Sequence, residues 1–215
     1  HKDECGGGVC VNKFSKCLIA NSSFIANNAI KQGGGLCFMT GGTVSLSKVT
    51  VINNEASRGN AGGMLVKQFS KYCLKNSDFI GNLAKYRGGG LFARNGGMIS
   101  MKRVTFINNK ASRQNGGGII MWYISKISVQ NCSFIRNRAG AVGAGLFALQ
   151  GMILGICRTK IINNVAFSLW SHGGGIAVES ISKCSVQDSF FIGNKAADGG
   201  GLLAQFGSMN LSIDR

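Results

Sequence analysis

Apolar positions along the chain fall into short alternating runs separated by glycine clusters, and the same run returns throughout. An apolar trio such as Leu36-Cys37-Phe38 or Leu91-Phe92-Ala93 follows each cluster. Alternating pairs come next, such as Val44 and Leu46, Ile99 and Met101, or Ile127 and Val129, with polar residues between them. Each unit closes on an apolar residue, Ile, a variable residue and Asn, often led by an inward Val such as Val49 or Val104. Phe79-Ile80-Gly81-Asn82 is one copy, and Val51-Ile52-Asn53-Asn54 and Ile161-Ile162-Asn163-Asn164 vary its first residue. Period-two alternation predicts strands, while β-branched content and glycine triplets argue against helices.

The closing asparagines Asn27, Asn54, Asn82, Asn109, Asn137, Asn164 and Asn194 are spaced 27, 28, 27, 28, 27 and 30 residues apart. Counted from the residue after the glycines, the units start at Val9, Leu36, Met64, Leu91, Ile119, Leu146, Ile176 and Leu202, and the closing apolar residue falls at position 15 wherever it is present. All length variation lies in the turn before the glycines. Constant strands with one variable corner predict an all-β solenoid, a single-stranded parallel β-helix, because an insertion inside a coil would break register with both neighbours. The expectation is about eight coils of 27–28 residues with three short strands each, forming one domain over 1–215 and a rod roughly 38 Å long at about 4.8 Å per coil. The chain opens on His1 without a signal peptide, which reads as a processed or excised part of a longer protein.

The repeated polar chemistry reads as structural. Stacked Asn side chains can satisfy backbone groups that a sharp corner strands, and an Ala two residues later, Ala29 through Ala196, suits a corner with little room. A second period lies inside the first. Odd coils carry Phe14-Ser15-Lys16, Phe69-Ser70-Lys71, Ile124-Ser125-Lys126 and Ile181-Ser182-Lys183, where even coils carry Gly41-Gly42, Gly96-Gly97, Gly151 and Gly207. Duplication of a two-coil ancestor explains this; a partner lattice with the same spacing is the functional alternative.

At the outward corner, Asn21-Ser22-Ser23 and Asn131-Cys132-Ser133 are candidate N-glycosylation sites. Asn210-Leu211-Ser212 is discounted, since Asn210 aligns with inward Val44 and Ile99. Cys10 and Cys37 share one position in adjacent coils and form the candidate disulfide, with Cys5 as an alternative partner. The other cysteines read mostly as small core residues. Position 1, from Cys10 and Cys37 to Leu65, Phe92, Ile120, Phe147, Ala177 and Leu203, is apolar although its neighbours are too. It is either an exposed contact stripe or is covered by the turn.

Composition adds charge. Twenty-four Lys and Arg against eight acids give a formal net charge of +16, which favours acidic partners. Cations crowd the variable turn, and Lys85, Arg87, Lys110, Arg113, Arg136 and Arg138 are the candidate polyanion-binding residues. Aromatic residues for base stacking are lacking there apart from Tyr86, which argues against specific nucleic-acid binding. No apolar run reaches the roughly 20 residues of a membrane span. No metal motif or cofactor is expected, with no C-x-x-C pair and with His1 and His172 far apart. Glycoside hydrolysis generally needs two placed carboxylates, and the acids, Asp3, Glu4, Glu55, Asp78, Glu179, Asp188, Asp198 and Asp214, read as scattered, with no adjacent-coil pair on one face. The one irregular turn, Phe167-Ser168-Leu169-Trp170-Ser171-His172, reads as a capping flap, with sugar stacking by Trp170 as the alternative.

Repeated F-x-x-N followed by glycines and an aliphatic residue, from Phe24 to Leu203, resembles the polymorphic membrane protein repeat of bacterial autotransporter passengers. The third glycine position departs from it, holding Gly rather than Ala in most copies. The resemblance implies a right-handed β-helix displayed outside the cell or on its surface and used in adhesion. The expected function is therefore a non-enzymatic extracellular scaffold or adhesin. Partners would be further copies of itself, stacked end to end, and acidic glycans or an anionic cell surface. A polyanion-binding module is the alternative, and a polysaccharide lyase or hydrolase the less favoured one.

Overall fold

The computed structural model describes residues 6–206 and 210–214. It is an all-β parallel solenoid of seven turns followed by the first two strands of an eighth, Leu202–Gln205 and Asn210–Asp214. The coil starts stack in one column: Val9 pairs with Leu36, Leu36 with Met64, Met64 with Leu91, and so on to Ile176 with Leu202. Cys5 and Gly207 lie outside the described residues.

The three expected strands of a coil run together. In the first four coils one strand spans 17 residues, Val9–Ile25, Leu36–Ile52, Met64–Ile80 and Leu91–Ile107. Direction changes without loops because single residues adopt the left-handed conformation at fixed positions. Lys13, Thr40, Gln68, Asn95, Tyr123, Gln150, Ser180 and Phe206 do so at position 4, and Asn21, Lys48, Asn76, Arg103, Asn131, Arg158 and Asp188 at position 12. Such a conformation costs a residue with a Cβ about 1–2 kcal/mol; Asn tolerates it best, which suits its frequency at position 12. A fourth ladder, absent from the sequence expectation, is built from two-residue strands, Asn28–Ala29, Glu55–Ala56, Leu83–Ala84, Lys110–Ala111, Arg138–Ala139 and Val165–Ala166.

In the third coil the inward side chains are Met64, Val66, Phe69, Tyr72, Leu74, Ser77 and Phe79, all buried. The in–out alternation slips by one residue at the left-handed Gln68 and Asn76, and again between Phe69 and Tyr72, where no residue is left-handed. The closing aromatics stack from coil to coil: Phe79 and Phe106 lie 4.9 Å apart at 19°, and Phe106 and Phe134 5.2 Å apart at 1°. Each such pair adds about 0.5–1.5 kcal/mol beyond its buried area.

The apolar row at position 1 is covered from Cys37 to Ala177, while Cys10 is exposed and Leu203 half-buried at its two ends. Cys37, Leu65, Phe92, Ile120, Phe147 and Ala177 form a second buried cluster outside the coil lumen, with Ala61 and Val142 of the variable turn packed on it. The turn can lie this close because its first glycine has no side chain: Gly88 has φ 66°, and a Cβ there would come 2.8 Å from Phe92 Cβ.

The eighth coil is one residue out of the expected alignment. Asn210 pairs with Lys183 and Leu211 with Cys184. Asn210 is exposed rather than inward, which removes the reason for discounting its sequon. Gln205 still pairs with Glu179 as expected, so the one-residue shift arises between Gln205 and Asn210.

Candidate functional site

The closing asparagines form one continuous ladder in which every carboxamide is used. Asn54 N and Nδ2 both donate to Asn82 Oδ1, Asn82 N and Nδ2 to Asn109 Oδ1, and the pattern runs from Asn27 to Asn194. Each Nδ2 from Asn54 to Asn194 also donates to a backbone carbonyl one coil back, as Asn82 does to Val51 O at 2.9 Å. From Asn54 to Asn164 these groups hold the corner and leave no side-chain donor or acceptor free for a ligand. A second ladder escaped sequence reading: Ser77 Oγ donates to Lys75 O and accepts from Val49 N, and Ser189 Oγ does the same with Gln187 O and Thr159 N. The signal was present at position 13, but it alternates with Val49, Val104 and Cys132.

The six turn cations are divided between two places. Lys110 and Arg138 are in-register neighbours on the two-residue ladder, and both are exposed. Arg136 is exposed on the preceding corner, and Arg113 N donates to Lys85 O. Arg87 instead turns over the coil-start sheet, where its guanidinium lies 5.1 Å from the Trp122 ring centre. Trp122 pairs with Arg94, donates from Nε1 to Gln150 Oε1 at 2.7 Å, and stacks on Tyr123. Aromatic side chains therefore do accompany the cations. Sequence reading missed them because Trp122 and Tyr123 belong to the next coil and meet Arg87 only across the glycine corner.

The irregular turn is not a flap. Leu169 is 89% exposed and Trp170 84% exposed, so neither covers the core. Phe167 is 45% exposed and lies under the Arg138 guanidinium at 5.7 Å. His172 Nδ1 approaches Asp198 Oδ2 to 3.2 Å, a contact without hydrogen-bond geometry.

Asn21 and Asn131 are exposed at left-handed corners, with φ 49° and 51°. Cys10 and Cys37 face each other in register. Asp188 and Asp214, from adjacent coils, line one cavity of about 840 Å³ with Arg158, Lys160, Ser189, Phe190 and Ile213. This corrects the expectation that no two acids of adjacent coils share a face. Asp188 is the carboxylate nearest Arg158, at 3.8 Å in an exposed pair of the kind that contributes little. Among the described residues, no group of three or more His, Cys, Asp or Glu is placed to hold a metal ion.

A family model described as the right-handed beta helix region matches residues 44–215. No solved structure matches the chain.

Proposed function

The chain belongs to the right-handed β-helix family, and we propose that within it the protein is a non-enzymatic scaffold, extracellular or at the cell surface, that adheres to acidic surfaces. The observation that carries this reading is the cationic edge. Lys110 and Arg138 are stacked in register, Arg113 and Arg136 are exposed beside them, and none has a carboxylate oxygen within 4.0 Å among the described residues. Stacked strands hold such charges at about 4.8 Å intervals, a spacing suited to a sulfated or uronic polymer or an anionic cell surface. Binding to heparin-like and polyuronate columns tests it. Retention should fall as salt rises and should be lost when Lys85, Arg87, Lys110, Arg113, Arg136 and Arg138 are neutralised together; salt-independent retention, or retention by the neutralised variant, overturns it. Release of reducing or unsaturated ends from a glycan panel would favour the enzymatic alternative.

Self-assembly is a second reading, favoured by the outer coils. Val9, Val11, Phe14, Ile19 and Phe24 at one end, and Phe191 and Leu202 at the other, are core side chains only partly buried. Either further coils or another copy would cover them. Electron microscopy at high protein concentration decides for this chain: filaments support stacking, and strictly monodisperse particles reject it.

A further inference from the structure

The turn at 167–170 is a protrusion with an apolar tip and a hydrogen-bonded base. Ser171 N donates to Ser168 O at 3.1 Å, which closes a β-turn with Leu169 and Trp170 at its two central positions. The base is pinned on both sides. Phe167 N and Ser168 N donate to Ala139 O and Gly140 O of the preceding coil, while Ser171 Oγ donates to Ala166 O and accepts from Ala197 N of the following one. A capping turn would lay its large side chains on the core, yet Leu169 and Trp170 point into solvent. Val165, at the foot of the loop, has Arg138 as its in-register neighbour on one side and Lys195 on the other, both exposed. Asp198, close to His172, is the acid of this neighbourhood.

We propose that this turn is a membrane-surface anchor, in which Leu169 and Trp170 enter the interfacial region of an anionic bilayer while Arg138 and Lys195 engage lipid phosphates. Trp suits the boundary between headgroups and acyl chains, Leu supplies apolar burial, and cations beside the insertion point add attraction to anionic headgroups. The net charge of +16 acts in the same direction at longer range. The inference shares Arg138 with the cationic edge but is distinguished from glycan adhesion by the apolar tip, Leu169 and Trp170, which that reading does not use.

The test is co-sedimentation with vesicles of phosphatidylcholine, with and without phosphatidylserine, in a Trp122→Phe background that leaves Trp170 as the reporter. Binding to the phosphatidylserine vesicles is expected, with a blue shift of Trp170 emission and protection from aqueous quenchers. Leu169→Ser with Trp170→Ser should weaken binding by roughly tenfold or more, and Arg138→Ser and Lys195→Ser by about fivefold each. Circular dichroism on each variant reports the fold, which substitutions at an exposed tip should leave intact. Binding without a Trp170 shift, binding unaffected by the tip variant, or no binding to either vesicle overturns the proposal. So does loss of acidic-glycan binding in the tip variant when vesicles are not bound, which would make the occupant a glycan.

Discussion

Asn54 and Asn82 are joined by two hydrogen bonds to a single oxygen: Asn54 N and Asn54 Nδ2 both donate to Asn82 Oδ1 at 3.0 Å. One side chain thus satisfies a backbone donor of its neighbour and fixes that neighbour's carboxamide, whose own Nδ2 reaches back to Phe24 O at 2.8 Å. Asn82→Ala removes this acceptor and the donor to Val51 O from a fully buried corner. The expected cost is about 2–4 kcal/mol, since buried polar groups left unpaired cost about 1–3 kcal/mol each. Exposed Asn28 provides the comparison, and Asn28→Ala should stay within about 0.5 kcal/mol. Urea unfolding of both variants checks the difference.

The two-coil period has a packing cause. Phe69 pairs with Gly96, and a Cβ on Gly96 would overlap the Phe69 ring; Phe14 stands in the same relation to Gly41. Large and small residues alternate because the ring of one coil occupies the side-chain space of the next. Gly96→Ala should cost about 1–3 kcal/mol through overpacking. In the Phe69→Ala background that cost should vanish, giving a coupling of about 0.5–3 kcal/mol in a double-mutant cycle. Gly155 has no heavy atom nearer than 3.7 Å to its added Cβ, and Gly155→Ala should be neutral or stabilising by up to about 1 kcal/mol.

The coil register was legible because a strand solenoid tolerates insertions only at a corner, which left the spacing from coil start to position 15 constant from Val9 to Phe191. The corners were less legible. A left-handed residue announces itself when it is Gly or Asn, but position 4 holds Thr40, Gln68, Tyr123 and Ser180, whose conformation is imposed by neighbouring coils. Alignment failed at Asn210 for a related reason: the eighth coil has no following Asn to fix its phase, and only pairing with Lys183 and Cys184 reveals the shift. The meeting of Arg87 with Trp122 depends on how a turn of variable length folds back, which residue spacing does not encode.

Burial sets the chemistry of two thiols. Cys132 and Cys184 are pushed from 9.0 up to about 11 by desolvation, in Cys132 against opposing backbone hydrogen bonds. Both should therefore resist alkylation at neutral pH until the chain unfolds, whereas Cys73 and Cys157, only half-buried, should react in the native state. The folded state holds these two protons more tightly than the unfolded state. Their contribution to stability is present in full below about pH 9 and is lost as pH rises toward about 11. Buried Tyr72, raised well above 10.0 by desolvation, extends the loss to higher pH. Urea midpoints across this range, compared with a Cys132→Ala/Cys184→Ala variant, should show a smaller decline in the variant between about pH 9 and 11.

The cationic edge makes a positional prediction. Lys110 and Arg138 are in-register neighbours, whereas Arg87 is committed to Trp122 on the other side of the turn. Lys110→Ser with Arg138→Ser should weaken binding to a heparin-like polymer by roughly five- to thirtyfold at low salt, taking about 0.5–1 kcal/mol per exposed cation. Arg87→Ser should have a smaller effect on affinity, and through lost stacking on Trp122 a larger one on thermal stability. Titrations at two salt concentrations would check this: the double variant should lose affinity mainly at low salt, and Arg87→Ser should leave the salt dependence nearly unchanged. An affinity loss for Arg87→Ser that equals the double variant's would place the polymer across the coil-start sheet beside Trp122 and Arg94, not along the ladder of Lys110 and Arg138.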